Sequence, residues 1–175
     1  MNAMLKKMIA GVAAAIGWLT LVLPGAAEPN ADAKFLMDAI RTDLAEVRLG
    51  ELASQRAQSE SVRHFAHMLT ADHSSSMETA ADLAKSLKVA VPTEASVEDQ
   101  KDYESLLSLS GAQFDKAFID AMIDGHRDAI SKFKKEAEDG DDVDVASFAR
   151  EAVPKLEEHL AMAQSLHSGK ALSGS

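Results

Sequence analysis

The chain contains no cysteine, so it can form neither disulfide bonds nor a thiolate metal site, and it cannot be lipidated at a cysteine. Aromatic residues make up only 5%, with a single Trp and a single Tyr, and this scarcity disfavours β-sheet. Basic residues are also few, with 18 Lys and Arg against 28 Asp and Glu and a formal net charge of -10. Phosphate backbones are bound by clustered Lys and Arg, so nucleic acid is not an expected partner.

Alanine and leucine are abundant, within a hydrophobic fraction of 46%. Both residue types have high helix propensity. A length of 175 residues provides one domain after a targeting segment is removed, without room for a second. We therefore predict a single all-α domain.

The first 27 residues have the three parts of an export signal. Lys6 and Lys7 precede an apolar run over residues 8–23, and small residues suited to cleavage follow near Ala27. The apolar run is shorter than the roughly 20 residues that cross a bilayer comfortably. We therefore expect residues 1–27 to be removed and residues 28–175 to form a periplasmic or secreted domain without a stable membrane span. Without cleavage, the chain would be membrane-anchored.

Four long segments of the mature chain have helical periodicity. The first two are joined by a short connection, and so are the last two, so each pair should be antiparallel. Ser59 and Asp142 are the expected N-caps of the second and fourth helices. The longer connection between the second and third contains Pro92 and should carry a short extra helix over about residues 96–109, as in ferritin-like bundles with one long crossover. The four long helices are expected over about residues 32–57, 59–88, 112–138 and 143–168, within a core of about 32–168.

Each long helix places one metal-ligand residue type on its apolar face. Positions alternately three and four residues apart share one face of a helix. Each of these residues also lies within about three residues, or ~5 Å, of its helix midpoint, so all four should meet at one level of the bundle. The inward residues are Glu46, His73, His126 and His159.

Three imidazoles and one carboxylate would all be satisfied by one bound cation. We therefore predict a metal site formed by Glu46, His73, His126 and His159. The alternative is a hydrogen-bonded polar layer without an ion, because a single histidine on an apolar face is more often a core residue than a ligand.

Other residues near this level have expected roles. His64 and His67 point away from the apolar face of the second helix, and His167 lies near a chain end, so all three should be surface residues. Asp72, Asp124 and Glu158 each lie within two residues of an inward histidine and could orient its imidazole.

Four segments of the chain together resemble the bacterial domain-of-unknown-function family 4142. They are "DLAEVRLGELA", "VRHFAHMLTADH", "LSGAQFDKAFIDAMIDGH" and "FAREAVPKLEEHL", and the resemblance covers about residues 35–167. It implies an exported, ferritin-like helical bundle, and it implies little about activity because the family has no settled biochemical role. The family pattern falls on Glu46, Asp72, His73, Phe114, Asp115, His126, Pro154 and His159.

The candidate ligands differ from those of ferritin-like di-iron sites, which use Glu-x-x-His pairs on two helices. The residues three positions before the inward histidines are Thr70, Ile123 and Leu156, so no such pair exists. The predicted site therefore suits a single ion. Zinc fits it at tetrahedral geometry, and copper, nickel and ferrous iron also fit.

Two functions remain open from the sequence. The first is an envelope metal-binding protein with a buffering, storage or redox role. The second is a non-enzymatic stress or interaction module with a metal-free polar core layer. Catalysis, protein partners and the choice between monomer and dimer are left open, and no inward Ser at the level of the histidines supports a catalytic triad.

Overall fold

The computed structural model describes residues 30–169, and within this range it contains five α-helices and no strand. The all-α prediction is confirmed, and each predicted helix end lies within two residues of the observed one. The predicted signal peptide lies outside the described residues. Within residues 30–169, the longest helices are all too polar to cross a bilayer. The helices are α1 (Ala31–Arg56), α2 (Glu60–Ser86), α3 (Val97–Leu107), α4 (Gly111–Asp139) and α5 (Val143–His167).

The N-termini of the helices are capped in different ways. Asp142 caps α5 as predicted, because its side chain accepts from the backbone N–H groups of Asp144 and Val145. Ser59 stands at the N-cap position of α2 as predicted, but its side chain makes no capping hydrogen bond. The carboxylate of Asp115 on α4 instead accepts from the backbone N–H groups of Gln58 and Ser59, each at 2.8 Å. The connection between α1 and α2 is therefore held from a neighbouring helix.

Two helical hairpins form the bundle. α1 packs along α2 and α4 packs along α5, while α2 faces α5 and α1 faces α4. Gly50 permits the close approach of α1 to α2, because a Cβ atom there would lie 2.9 Å from the backbone oxygen of Ala66. The crossover carries α3, which packs on α1 and α4. This arrangement confirms the predicted ferritin-like four-helix bundle with a short helix in the crossover.

Apolar packing on both sides of the bundle's middle isolates a polar layer. On one side lie the fully buried rings of Phe65, Phe114 and Phe118, and on the other lie Leu36 and Val145. Between these clusters, every long helix contributes at least one buried ionisable residue. The candidate site is therefore flanked by apolar packing on both sides, where unpaired charges are costly. The buried residues of the layer are Asp43, Glu46, His73, His126 and His159.

Candidate metal centre

The three predicted histidines meet in the bundle core. His73 comes from α2, His126 from α4 and His159 from α5, and these residues are between 1% and 4% exposed. One nitrogen of each ring lies within 4.8 Å of one nitrogen of each of the other two. In the part of the chain that is described, Glu46 does not belong to this group of converging ligand atoms.

The hydrogen bonds of His73 and His126 fix which nitrogen of each ring carries a proton. His73 Nδ1 lies 2.7 Å from Asp43 Oδ1, and His126 Nδ1 lies 2.9 Å from the backbone oxygen of Met122. A carboxylate and a carbonyl only accept, so both Nδ1 atoms donate. In the neutral ring the Nε2 atom therefore bears a lone pair, and the Nε2 atom of His73 has no hydrogen-bond partner within residues 30–169.

His159 is held in the opposite orientation. Its Nε2 atom lies 2.9 Å from Asp72 Oδ2, so Nε2 donates and the Nδ1 atom of the neutral ring bears the lone pair. That Nδ1 atom lies 3.2 Å from His126 Nε2. Two nitrogen lone pairs then face each other, an arrangement that requires a proton or a cation between them.

Burial keeps two of the three imidazoles neutral. Burial and the neighbouring His73 and His159 lower the pKa of His126 to about 3. Burial also lowers the pKa of His159, against the opposing hydrogen bond to Asp72. For His73, burial disfavours the charged ring, but the hydrogen bond to Asp43 and the charge of Glu46 together raise its pKa above 6.5. Among the three rings, His73 is therefore the one whose pKa favours an additional proton when no ion is bound.

Glu46 lies beside His126, next to the Nδ1 atom that carries the proton of that ring. Its Oε1 atom is 3.9 Å from His126 Nδ1, and its Oε2 atom has no hydrogen-bond partner among the described residues. Burial raises the pKa of Glu46 to about 7, against the charge of His73. A Cβ atom at Gly125 would lie 3.5 Å from Glu46 Oε1, so this glycine leaves room for the carboxyl group against α4.

The residues that orient the histidines were only partly predicted. Asp72 orients an inward histidine, but that histidine is His159 of α5 rather than the adjacent His73. Asp124 and Glu158 are exposed and pair with Arg127 and Lys155 instead. Those two expectations were wrong, because both side chains point away from the core.

Asp43, which holds His73, was missed by the sequence reasoning. It lies three residues before Glu46 on α1, so the helical period that selected Glu46 could have indicated it. His64, His67 and His167 are exposed as predicted, and His167 pairs with Asp120.

The donor set fits a transition-metal ion. Three imidazole nitrogens suit zinc, copper, nickel or ferrous iron, and hydrogen bonds from the far ring nitrogens to carboxylates or carbonyls are typical of metal-bound histidines. With Zn–N bonds of about 2.0–2.1 Å, tetrahedral ligand nitrogens lie roughly 3.3 Å apart. The 3.2 Å separation of His126 Nε2 and His159 Nδ1 agrees with that spacing.

Solved structures share this fold. A protein described as a putative secreted DUF305 protein from Streptomyces coelicolor is 17% identical, with a TM-score of 0.70 over 83% of this chain and 97% of that one. A DUF305 fragment from Deinococcus radiodurans is 15% identical, with a TM-score of 0.70 over 79% and 95%. A structure described as "CopM in the Cu(II)-bound form" is 14% identical, with a TM-score of 0.68 over 79% and 96%. At these identities the likeness shows the fold alone.

A comparison with curated proteins finds no match. The family model of the domain of unknown function DUF4142 matches residues 22–166, which include all five helices almost to the end of α5. This match agrees with the resemblance seen in the four sequence segments. The chain therefore belongs to the DUF4142 family.

Proposed function

We propose that the chain is exported and that its mature domain binds one transition-metal ion through His73 Nε2, His126 Nε2 and His159 Nδ1. The observation that carries this proposal is the convergence of three lone pairs, each fixed by a hydrogen bond on the far side of its ring. A cation placed among them replaces lone-pair repulsion between His126 and His159 with two coordinate bonds.

Copper and zinc are the ions that we propose first. Imidazole ligands suit both, and divalent copper binds most nitrogen sites more tightly than zinc does. The fold neighbour described in its Cu(II)-bound form adds support for copper. The absence of thiolate ligands, which select Cu(I), favours the divalent ion.

Glu46 is the proposed fourth ligand. Its Oε2 atom is buried without a hydrogen-bond partner among the described residues, and a neighbouring cation would stabilise the ionised carboxylate. Because His126 donates its Nδ1 hydrogen to Met122, Glu46 would reach the ion only past the edge of the His126 ring. A Glu46→Gln variant tests this role: a true ligand position should lose affinity about tenfold or more.

The proposed role is buffering or storage of the ion in the cell envelope. The site is enclosed enough to hold an ion in a dry core, and one side of it adjoins a cavity that leads toward solvent. An ion can therefore exchange without unfolding of the bundle.

The deciding experiment measures the metal content and thermal unfolding of untagged protein. Protein reconstituted with copper or zinc should hold about one ion per chain and unfold at a higher temperature than protein in chelator. His73→Ala should lose most of that ion-dependent gain. If neither copper, zinc, nickel nor ferrous iron binds or raises the wild-type midpoint, the proposal is wrong.

A metal-free polar layer is the second candidate, and specific contacts favour it. Asp43–His73 joins α1 to α2, and Asp72–His159 joins α2 to α5. Such contacts could set the register of the helices, as buried polar groups do in some bundles. If the layer binds no ion, His73→Ala should lower the free energy of unfolding by roughly 1–3 kcal/mol, and by the same amount in chelator as in added metal.

A further inference from the structure

A cavity of about 220 Å³ adjoins the three histidines. All three histidines line it, so it lies directly beside the proposed metal ligands. At its outer end lie the exposed residues Ser75 and Thr79 of α2, so the cavity is partly open to solvent. A ligand could therefore reach an ion at the histidines without displacing a helix.

Apolar side chains form one wall of this cavity. Phe133 of α4 and Phe148 and Leu156 of α5 lie on that wall, and Ala129 and Ala152 leave space between them. Apolar cavities of about 150 Å³ can hold a benzene molecule. A six-atom ring therefore fits the available volume, with an apolar surface to pack against.

Carboxylates dominate the charged residues of the same cavity. Asp43, Glu46, Asp72 and Glu151 line it, whereas Lys155 is the one cationic Lys or Arg of its described lining. Lys155 already pairs with Asp72 and Glu158. The Oδ2 atom of Asp43 is buried without a described hydrogen-bond partner, and the proposed metal site does not use it. The cavity therefore disfavours anions and offers a carboxylate acceptor to a ligand that carries an N–H or O–H group.

We propose that this cavity binds a small, uncharged nitrogen base with an apolar ring, of the imidazole class, whose ring nitrogen binds the ion at a position that the protein leaves open. This inference rests on the proposed metal site. The ring packs on the wall formed by Phe133 and Phe148, and its N–H group donates to a carboxylate of the opposite wall. The DUF4142 protein would thereby hold an ion together with an external ligand, rather than enclose the ion completely.

The test uses untagged protein loaded with Cu(II), titrated with 4-methylimidazole or with azide at pH 8.5 and followed by visible absorption and electron paramagnetic resonance. The ion content is measured again after each titration. We expect 4-methylimidazole to shift the spectrum saturably while the ion stays bound, and azide to bind roughly tenfold more weakly or worse.

Ala152→Phe fills the cavity with an aromatic ring, and Ala81→Phe is the matched control in a separate groove that shares no lining residue with this cavity. Ala152→Phe should retain the ion but weaken 4-methylimidazole binding by roughly tenfold or more, and Ala81→Phe should leave it unchanged. An ion-loaded protein whose spectrum neither compound changes, or one that prefers azide, would overturn this inference and leave the metal site standing. A protein that takes up no ion would overturn the proposed function itself.

Discussion

Two buried polar regions of this bundle deal with their ionisable groups in opposite ways. In the first, Asp32 at the start of α1 accepts from the backbone N–H groups of Asp141 and Asp142, at 3.1 and 2.9 Å, and so ties α1 to the connection between α4 and α5. Glu136 lies against Asp32, and burial together with that neighbour raises the pKa of Glu136 to about 7. Asp32 is thus satisfied by the backbone and by the hydrogen that it shares with Glu136, and one oxygen, Oε1 of Glu136, is left without a hydrogen-bond partner among the described residues.

The histidine layer, in contrast, directs its donors outward and its acceptors inward. Each ring gives its hydrogen to a carboxylate or carbonyl at the periphery, which leaves the centre with three lone pairs and two unpartnered carboxylate oxygens. The comparison teaches that burial of polar groups does not by itself indicate a site. A site is indicated when more acceptors than donors converge on one point, because only a cation or a proton can stabilise such a cluster.

The largest expected effect comes from removal of a central ligand. His126→Ala should weaken copper or zinc binding by about 100-fold or more, because it removes one of the three imidazole ligands and leaves a gap in the layer. Isothermal titration calorimetry measures this loss. The control is His67→Ala, which removes an exposed histidine of α2 and should bind the ion with wild-type affinity. Equal losses of affinity in His126→Ala and His67→Ala would mean that the ion binds outside the core.

A smaller loss is expected when an imidazole keeps its place but loses its orienting carboxylate. Asp72→Asn should weaken ion binding by about 10–100-fold, because the amide no longer selects the ring form of His159 with its lone pair inward. Asp124→Asn is the matched control, since Asp124 is exposed and pairs with Arg127. If Asp72→Asn binds the ion as tightly as Asp124→Asn does in competition titrations, Asp72 does not orient a metal ligand. Its contact with His159 would then only hold helices together, as the contacts of Asp32 do.

The pH dependence of ion binding distinguishes His73 from its two neighbours. The raised pKa of His73 means that a proton must leave this ring before it can bind an ion, whereas His126 and His159 are neutral above pH 6.5. His73 should therefore contribute a loss of about tenfold in affinity per unit as pH drops below its pKa, and Glu46, whose pKa is raised to about 7, should contribute up to a second proton as a ligand. A slope corresponding to three or more protons would show that the lone pairs of His126 and His159 are not preformed.

The smallest effect is expected in the Asp32 region. The folded-state pKa of Glu136 is raised, so the stability that its proton contributes is fully present below pH 4.5 and is lost as pH rises through about 7. Glu136→Gln should therefore stabilise the protein above pH 7, by on the order of 1 kcal/mol, and flatten the pH dependence.

Urea unfolding at several pH values measures this gain, with the exposed Glu138→Gln as control. Neither variant should change ion binding. A change in ion affinity in Glu136→Gln would mean that the two polar regions are coupled.

Much of the site follows from helical periodicity alone. Spacings of three and four residues placed His73, His126 and His159 on inward faces, and their positions near the helix midpoints placed them at one level. The same pattern predicted the four long helices and the short helix in the crossover. It erred where a residue lies beside the apolar face rather than on it: Asp43 was missed, and Asp124 and Glu158 were assigned contacts with histidines that they do not make.

The sequence by itself therefore determined the fold class and which three imidazoles meet, because a helix repeats its faces regardless of what surrounds it. The tertiary structure decided which nitrogen of each ring points inward, that Glu46 lies behind His126, and that a cavity opens beside the site. These features depend on side-chain rotamers and on the rotation of each helix against its neighbours. Both are set by packing between hairpins that are distant in sequence, so helical periodicity does not predict them.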